Sequence, residues 1–577
     1  MSYAERRWIS YFMVAFICLT WLPYLFAFAM TPPRMSYMWL LGNPDDQNVH
    51  LMWARQAADG ALTFKDLYTT EKHSGKFFHL PMLLLGLLHA VTELPLHLLY
   101  QVARTVAIAL FFVGAYWLAI YHFDHVPSRR SFILFLGFSS GFGWLAWLLR
   151  DWLGCDVPSF ADVSKGLVMP EAITFLTMLV APLTAVGVAL QACLMASIAS
   201  FIINGRWRSV LLASLISLIL GNAHSYAALT VFIVILIWYP LNILWTMLLQ
   251  RSQSLSSLDR ESCKRISLES KIALSHLAAV TAVCLCSLIG MLPQVFAFRA
   301  DIAFREKALT QTLTPPPMIL LGTYGLLVPL SIIGVALGIR NKWRMLAMPL
   351  AWVIGTLIAI HLPVSFQRKL IEGFHIPLCM LAAYAAAEAP LKSRWRISTK
   401  AVYGAVCVLT LLMFPSNGAY IGLNTYWLLN NNMLAERLLQ PPYYLTQNQL
   451  RLISWLRENA LQDDAIICSP MLGNYIPPIS GRTVFIGHWA ETLHFTKKLR
   501  TLVTCYRWAN APSQLAMWLT LTRVHNVRFV LLTDFERAIS GGKTALPPFC
   551  KLVFKAGDDE AYRIDLTALA KLAVELD

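Results

Sequence analysis

Charged side chains are scarce in this sequence. Only 14% of its 577 residues are Asp, Glu, Lys or Arg and 57% are hydrophobic, whereas soluble domains have about 25% charged and about 45–50% apolar residues. A chain of this composition cannot cover itself with polar side chains. A soluble globular protein is therefore excluded, and most of the chain is expected to face lipid.

Metal-ligand and cleavage patterns are also missing. The 11 cysteines include no CxxC pair and no Cys/His spacing typical of zinc sites, so the sequence predicts no metal-binding residue. The apolar stretch that follows Arg6 and Arg7 is long enough to span a bilayer and has no small-residue cleavage site. We therefore expect the first span to be an anchor and not a removable signal peptide.

Positive charge is in excess, with a net charge of +15, but it lies in short clusters between apolar stretches. This distribution is typical of the cytoplasmic loops of membrane proteins, so nucleic acid is not predicted as a partner. Hydropathy predicts about 11 spans, near 9–30, 95–121, 131–149, 182–203, 208–222, 225–249, 272–293, 316–339, 345–362, 372–390 and 401–416. With the N-terminus in the cytoplasm, every cytoplasmic loop is basic.

Two apolar segments fit this pattern less well. The pattern of the stretch 150–181 fits either a re-entrant helix or an interfacial helix. Phe77–Val91 is only 15 residues long, which is short for a span, and we expect it to lie in the membrane interface. The first external loop is then long, at about 31–94.

The composition changes after about Pro415. The pattern predicts helices at 447–459, near 491–506 and at 512–524, strands at 465–468, 483–486 and 528–532, and a hairpin at 550–564. Alternating strands and helices indicate an α/β domain with a partly parallel sheet. We therefore expect a polytopic α-helical membrane protein with a transmembrane catalytic domain at 1–416 and an extracytoplasmic α/β domain at 417–577.

Two adjacent carboxylates lie in the first external loop, in the stretch Gly42-Asn43-Pro44-Asp45-Asp46. The apolar residues that follow recur at helical spacing, so Asp45 and Asp46 are expected at the start of a helix just outside the bilayer. One interpretation is helix capping, for which Asp is a preferred residue. The other is catalysis, because an interfacial carboxylate can take a proton from an acceptor hydroxyl.

Basic residues also lie on the external side, against the usual bias. They are Arg299 and Arg305 in one loop and Arg368 and Lys369 in another. An anionic phosphate explains them, because Arg forms bidentate hydrogen bonds to phosphate oxygens. The alternatives are snorkelling side chains or ion pairs with Asp301, Glu306 and Glu372.

Several further polar residues are candidates for lining a site or binding an acceptor. They are Glu71, His73, His224 and His488. His224 lies at an external helix junction and fits a structural, hydrogen-bonded histidine equally well. His488 lies in Gly487-His488-Trp489-Ala490-Glu491-Thr492, where a strand is expected to give way to a helix whose N-terminus favours anions. The alternative there is a helix start with a packed Trp489.

A family resemblance rests on the stretches NPDDQNVHLMWARQAADG, FKDLYTTE and FFHLPMLLLGLL, together with FQRKLIEGFHIPL and GRTVFIGHWAET. They resemble the GT-C superfamily of membrane glycosyltransferases, and in particular bacterial transferases that act on lipid A and the lipopolysaccharide core. Alignment on Ala54 and Arg55 places Asp46 at the superfamily Asp. Gln47 then stands where many members have Glu, which leaves open whether a divalent cation takes part.

The resemblance implies an inverting glycosyltransferase in the plasma or inner membrane of the cell envelope. Its donor is a polyprenyl-phosphate sugar, either hexosyl or pentosyl, and its acceptor is an extracytoplasmic lipid, glycan or protein. Asp46 acts as the base, with Asp45 orienting it or substituting for it, and basic residues bind the donor phosphate. The alternative from another class is a polytopic transporter or lipid flippase, for which ionisable groups and broken helices near the membrane midplane are typical.

Overall fold

A computed structural model of the chain describes residues 1–149, 168–251, 261–393, 397–434, 437, 439–542 and 544–576. The α-helices are Tyr3–Ala29, Pro44–Ala58, Leu80–Thr92, Leu96–His122, Val126–Phe138, Gly143–Trp147, Thr174–Val180, Pro182–Asn204, Trp207–Ala223, Ser225–Arg251, Glu261–Ala300, Ile302–Ala308, Pro317–Tyr324, Leu327–Arg340, Ala347–Ala359, His375–Ala383, Ala389–Lys392, Thr399–Met413, Pro415–Leu429, Gln447–Asn459, Pro470–Gly473, Ile476–Ser480, Phe495–Cys505, Pro512–Arg523, Asp534–Ile539 and Leu566–Leu576. A 3₁₀ turn at Gln367–Ile371 and a π turn at Tyr384–Glu388 flank His375–Ala383. The strands are β1 (Met35–Tyr37), β2 (Tyr444–Thr446), β3 (Ala465–Ile467), β4 (Thr483–Val484), β5 (Val527–Leu532), β6 (Cys550–Ala556) and β7 (Asp559–Ile564).

The protein is a polytopic membrane protein. Among the described residues, 7 helices are long and apolar enough to cross a bilayer, or 8 if the bent pair Pro317–Tyr324 and Leu327–Arg340 is one span. Three shorter apolar helices accompany them: Leu80–Thr92, Trp207–Ala223 and Ala347–Ala359. The count of 11 spans therefore stays a prediction, as does the interfacial position of Leu80–Thr92. Most of the stretch 150–181 lies outside the described residues, and Thr174–Val180 is a short helix.

Two predicted spans are broken and not continuous. Residues 131–149 contain a helix that ends at Phe138 and a short one that begins at Gly143. The span predicted at 316–339 bends by 82° between its two helices. The breaks meet each other, because the Phe142 N–H donates to the Gly322 carbonyl at 2.8 Å. A Cβ on Gly141 would lie 1.9 Å from the same oxygen, so only glycine allows this approach.

Packing divides the chain into two units. The first comprises Met1–Leu22, Val102–Leu292 and Gln311–Leu423, and the second comprises Pro23–Gln101, Pro293–Thr310 and Asn424–Asp577. Within the first unit, helices cross closely where side chains are small: a Cβ on Gly290 would lie 2.2 Å from the Leu218 carbonyl oxygen. Small residues permit such close crossings in membranes. Arg104, fully buried in this unit, donates to the Met178 carbonyl at 2.7 Å.

The second unit contains a mixed five-stranded sheet in the order β4-β3-β5-β7-β6. β3 is parallel to β4 and β5, whereas β7 is antiparallel to both β5 and β6. The predicted partly parallel sheet, the helix at 447–459 and the hairpin at 550–564 are thereby confirmed. The helix expected from about 491 begins only at Phe495, so residues 487–494 form a turn.

The loop 31–94, which is predicted to be external, belongs to this second unit. β1 pairs with β2 in antiparallel register. The Val484 N–H donates to the Leu67 carbonyl at 2.9 Å, and the Tyr68 hydroxyl donates to the Asn474 carbonyl at 2.9 Å. Residues around 35 and 67 thus pack with the C-terminal region. Helix Pro415–Leu429 runs across the predicted boundary at 416/417, and the assignment of catalysis to residues 1–416 stays a prediction.

Candidate functional site

The two adjacent carboxylates lie in the first turn of helix Pro44–Ala58. Asn43 occupies the N-cap position without a side-chain capping bond, and Pro44 is the first helical residue. Proline is favoured there because its fixed φ suits the helix and it has no N–H to leave unsatisfied. The expectation that an Asp caps this helix is therefore wrong. Asp45 and Asp46 lie inside the helix, and neither side chain is needed for the cap.

Asp46 is the accessible member of the pair. Its side chain is 59% exposed, and its Oδ1 lies 3.3 Å from Nε2 of His488. Its other oxygen, Oδ2, accepts a hydrogen bond of 2.7 Å from the Asn43 side-chain amide. One carboxylate is thus held on two sides while it stays open to a substrate. This combination of orientation and access is what a general base requires.

Asp45 is the buried member, with a side chain that is only 3% exposed and an oxygen 3.7 Å from Nε2 of His488. Burial raises the pKa of Asp45, and the neighbouring charge of Asp46 raises it further, whereas His488 and a hydrogen bond from Gln440 lower it. The net shift is upward, because two adjacent carboxylates do not both ionise readily. The negative charge of the pair is therefore concentrated on the exposed Asp46.

His488 holds a defined tautomer. Its Nδ1 accepts hydrogen bonds from the backbone N–H groups of Ala490 at 3.0 Å and Glu491 at 3.2 Å. An atom that accepts cannot carry the proton, so the network assigns the proton to Nε2, which faces the carboxylates. Burial lowers the pKa of His488, but the hydrogen bond to Asp46 and the surrounding carboxylates raise it overall. The two backbone N–H groups that donate to Nδ1 stabilise the neutral ring and oppose this increase in pKa. We therefore assign the neutral tautomer, with the proton on Nε2.

A second layer of charge surrounds this cluster. Asp66 is buried, and burial together with the charge of Glu491 raises its pKa well above the usual range, although the Tyr68 N–H donates to it. Glu491 forms an ion pair with Lys307. Asp66 lies in the stretch FKDLYTTE that carries the family resemblance but is not among the site residues predicted from the sequence. No local pattern marks Gln440, which hydrogen-bonds Asp45.

Two predicted site residues of the first loop have structural partners. Glu71 pairs with Lys498 at 2.7 Å, and Lys498 lowers the pKa of Glu71 against the effect of burial. His73 is buried, with Nδ1 3.3 Å from Asp301 and Nε2 3.0 Å from the Asp66 carbonyl oxygen. These contacts anchor the loop to its neighbours. Asp301 thus lies against His73 and accepts from the backbone N–H groups of Ser74 and Gly75, whereas one sequence-based interpretation pairs it with a nearby cation.

His224, in the first unit, is also paired. Its Nδ1 lies 3.0 Å from Oε2 of Glu372, and both side chains are buried. Glu372 thus lies against His224, whereas one sequence-based interpretation pairs it with Arg368 or Lys369. A structural role of His224 stays a prediction.

The four basic residues that are predicted to be external have different surroundings. Arg368 is 41% exposed, and its Nε lies 2.6 Å from Glu171, while Lys369 lies 5.2 Å above the ring of Tyr226. Both belong to the first unit. Arg299 and Arg305 belong to the second unit and are exposed. Arg368 therefore forms an ion pair with a carboxylate, which is the alternative to phosphate binding. Its partner is Glu171 and not Asp301, Glu306 or Glu372.

In the part of the chain that the structure describes, no group of three or more His, Cys, Asp or Glu side chains is arranged to hold a metal ion.

Comparisons with known proteins found similar solved structures only. No protein-family model matches the chain, and no curated protein does. The oligosaccharyltransferase of Archaeoglobus fulgidus, in complex with zinc and sulfate, is 11% identical, with a TM-score of 0.39 over 89% of this chain and 67% of that chain. ArnT from Cupriavidus metallidurans bound to undecaprenyl phosphate is 11% identical, with a TM-score of 0.44 over 96% of this chain and 98% of that chain. ArnT in the apo state has a TM-score of 0.41, again at 11% identity, over 98% and 99% of the two chains.

Both proteins are GT-C glycosyltransferases, the group that the sequence resembles. At such identities and TM-scores the likeness carries no inference about the activity of this chain.

Proposed function

We propose that this protein is a membrane glycosyltransferase that moves a sugar from a polyprenyl-phosphate donor to an extracytoplasmic acceptor. The observation that carries the proposal is Asp46, an exposed carboxylate held between the Asn43 amide and the His488 imidazole. An exposed and oriented carboxylate beside a buried one of raised pKa is an arrangement suited to acid–base chemistry. The sequence resemblance supplies the reaction class.

In this proposal Asp46 takes the proton of an acceptor hydroxyl. The hydroxyl oxygen attacks the anomeric carbon of the donor sugar, and the bond from that carbon to the donor phosphate oxygen breaks. The configuration at the anomeric carbon inverts, and polyprenyl phosphate leaves with the bonding electron pair. His488 donates Nε2–H to Asp46 and orients the carboxylate, while Asp45 concentrates the negative charge on its neighbour.

The donor phosphate is assigned to Arg368 and Lys369, with Arg299 and Arg305 as further cations on the same predicted side of the membrane. Arg368 supports this role because its half-exposed guanidinium already holds an anion, the Glu171 carboxylate, at 2.6 Å. A phosphate oxygen is an equivalent acceptor for the same fork. Donor binding then requires the guanidinium to exchange Glu171 for phosphate.

A transfer assay tests the class of activity. Purified protein is reconstituted in lipid vesicles and incubated with a panel of radiolabelled polyprenyl-phosphate sugars and a membrane extract. Loss of label from one donor, with its appearance in a second product, is the expected result. Labelled donors that all stay intact in every extract would contradict the proposal.

A transporter or flippase is the second candidate, and the two broken helices of the first unit favour it. Helix breaks beside buried ionisable groups are typical of transport sites, and the His224–Glu372 pair is buried in the same unit. The distinguishing experiment follows a labelled polyprenyl-phosphate sugar across the vesicle membrane. Translocation without transfer of the sugar would support this candidate against the enzyme.

A further inference from the structure

An apolar crevice lies between helices of the first unit. Side chains of four helices line it, and those helices are Pro182–Asn204, Trp207–Ala223, Ser225–Arg251 and Glu261–Ala300. The crevice has about 330 Å³ of empty space, its open mouth included. Its lining is apolar apart from the ring nitrogens of Trp238 and His276. A concave surface of this kind suits an apolar ligand, and in a bilayer the apolar material that reaches it is a lipid chain.

Two arginines lie at one end of this crevice. Phe201 and Val210, which belong to the lining, precede and follow the short connection between the first two helices. Arg206 lies in this connection and Arg208 comes two residues later, and both side chains are exposed. The connection stays close to the lining, because the Gly205 N–H donates to the Phe201 carbonyl at 2.7 Å. Positive charge therefore lies about one helical turn from the apolar wall.

Trp207 indicates the depth at which this end of the crevice lies. Its indole is 49% exposed, and its ring packs on Phe201 with centroids 5.5 Å apart. The Phe201 ring in turn lies 5.5 Å from the imidazole of His276. Tryptophan is enriched where a bilayer meets water. We therefore expect the arginine end of the crevice at the membrane interface, with the apolar lining reaching into the hydrocarbon.

The polar groups next to these arginines are mostly hydroxyls. The first turn of the helix that begins at Trp207 holds no acidic side chain. Ser200 and Ser209 lie 3.1 Å apart through their hydroxyl oxygens, and the Tyr121 hydroxyl donates to Ser200 at 3.0 Å. Hydroxyls can hydrogen-bond an anion but do not neutralise a guanidinium. A phosphate from outside the chain supplies the missing negative charge.

We propose that the crevice binds an anionic glycerophospholipid. One acyl chain lies against Phe201 and Val210, and the phosphate lies at Arg206 and Arg208. Basic groups beside crevices between membrane helices are suited to anionic headgroups, and Arg matches phosphate oxygens with a bidentate fork. An anionic lipid is favoured over a zwitterionic one, because the latter carries its own cation next to the arginines.

The sugar donor is not the lipid proposed for this crevice. The donor phosphate is assigned to Arg368 and Lys369, which are predicted to be external. The connection that carries Arg206 is predicted to be cytoplasmic, on the opposite side of the membrane. The lipid site is therefore independent of the proposed transferase activity, and it stands or falls by lipid binding alone.

Binding of lipids to the full-length protein in detergent tests the headgroup. Native mass spectrometry measures the Kd of dioleoylphosphatidylglycerol and of dioleoylphosphatidylcholine, which share their chains. We expect wild type to bind phosphatidylglycerol more tightly. The double substitution Arg206→Gln with Arg208→Gln should reduce this preference by about five- to thirtyfold, the scale of two cations near a lipid surface. Arg340→Gln with Arg344→Gln is the matched control, because it removes two exposed arginines of another predicted cytoplasmic loop, and it should keep the preference.

A second arm tests the crevice. Glycerophosphoglycerol, the headgroup without chains, should bind wild type at least about tenfold more weakly than phosphatidylglycerol, because it buries no acyl chain. Ala213→Leu adds bulk to a buried alanine of the lining and should weaken phosphatidylglycerol binding. Ala405→Leu adds the same bulk to an exposed alanine and should not. Thermal unfolding verifies that each variant is folded, and the chainless headgroup carries this arm if Ala213→Leu does not fold.

Four outcomes would overturn the proposal. The first is equal affinity of wild type for the two phospholipids, and the second is a preference that survives loss of both Arg206 and Arg208. The third is equally tight binding of glycerophosphoglycerol, which would indicate a site for free phosphate. The fourth is tighter binding of a polyprenyl phosphate that depends on the same two arginines, which would assign the crevice to the donor.

Discussion

Nε2 of His488 lies 3.3 Å from Oδ1 of Asp46, so a turn in the C-terminal region lies against a carboxylate of the loop 31–94. The two residues belong to one packing unit, in which β1 also pairs with β2. The region predicted as a separate domain thus completes the surroundings of the candidate base. This relationship leads directly to the first two predictions.

Asp46→Asn is expected to lower the transfer rate by about 10²–10⁴-fold, because an amide cannot accept the proton of the acceptor. Asn is nearly isosteric and keeps an oxygen that can accept from Asn43 and His488, so donor binding and thermal stability should change little. Single-turnover rates and donor Kd measure the two effects separately. Asp45→Asn is the matched control, and a smaller loss is expected there because Asp45 is buried and its pKa is raised. Equal activity of wild type and Asp46→Asn would reject the base.

His488→Ala is expected to slow transfer by roughly ten- to hundredfold, because a hydrogen bond to a charged group contributes about 1.5–3 kcal/mol. Loss of the Nε2–H donor also destabilises the ionised Asp46, so its pKa rises. The acidic limb of the pH–rate profile should therefore move to higher pH. His488→Gln, whose amide can donate in place of Nε2–H, should restore part of the rate. A slower variant with an unmoved profile would indicate a purely structural role.

Glu171 and Arg368 form a pair whose separation should accompany donor binding. Arg368→Ala is expected to weaken binding of the proposed polyprenyl-phosphate donor by roughly tenfold, and Arg368→Lys should rescue it only in part, because the bidentate fork is lost. Glu171→Gln removes the competing anion and should tighten binding by about two- to fivefold, the scale of a partly exposed ion pair. Donor binding to the variants reconstituted in vesicles measures both the expected loss of affinity in Arg368→Ala and the expected gain in Glu171→Gln. Unchanged affinity in Arg368→Ala would remove this residue from the donor site.

Asp66 should make the protein less stable as pH rises. Its folded-state pKa lies well above the ordinary value because it is buried near Glu491, so the folded state holds a proton that the unfolded state releases above pH ~4. The stability that protonated Asp66 contributes is therefore lost progressively as the pH rises from about 4 to the pKa of Asp66 in the folded state. Asp66→Asn removes that dependence and should raise the Tm at pH 7 relative to wild type, with little difference at pH 4. Thermal unfolding in detergent at both pH values decides the point, and a variant that is less stable at pH 7 would contradict it.

The predicted extracytoplasmic location of the C-terminal region is open to a direct test. A periplasmic-type reporter enzyme fused after Asp577 should be active only outside the cytoplasm, because an odd number of spans is predicted between it and the basic N-terminus. The same reporter fused after Arg130 should be inactive and serves as the control. Activity of the second fusion and not the first would invert the topology and place Asp46 in the cytoplasm.

Several elements could be predicted because their signals are local. The helix Gln447–Asn459 was predicted at the residues where it occurs, since its apolar residues recur at helical spacing and Thr446 with Gln449 forms a capping box. The hairpin of β6 and β7 and the parallel neighbours β3 and β5 likewise follow from alternating hydrophobicity and turn residues. Long apolar helices are the strongest signal of all, because lipid tolerates no unsatisfied backbone.

Other features have no local signal. The breaks at 139–142 and near Gly325 depend on how two helices approach each other, so hydropathy read each as a continuous span. The capping expectation failed because Asn43 and Pro44 already begin the helix, which leaves Asp45 and Asp46 inside the first turn.

By itself, the sequence determined that the chain crosses a membrane, that an α/β region follows the spans, and that Asp45 and Asp46 start a helix. Composition and periodicity carry those properties, and both are readable along the chain. Only the tertiary structure decided that Asp46 is exposed while Asp45 is buried, and that His488 lies against both carboxylates. Burial and pKa depend on which distant segments pack around a side chain, and no pattern of neighbouring residues encodes that packing.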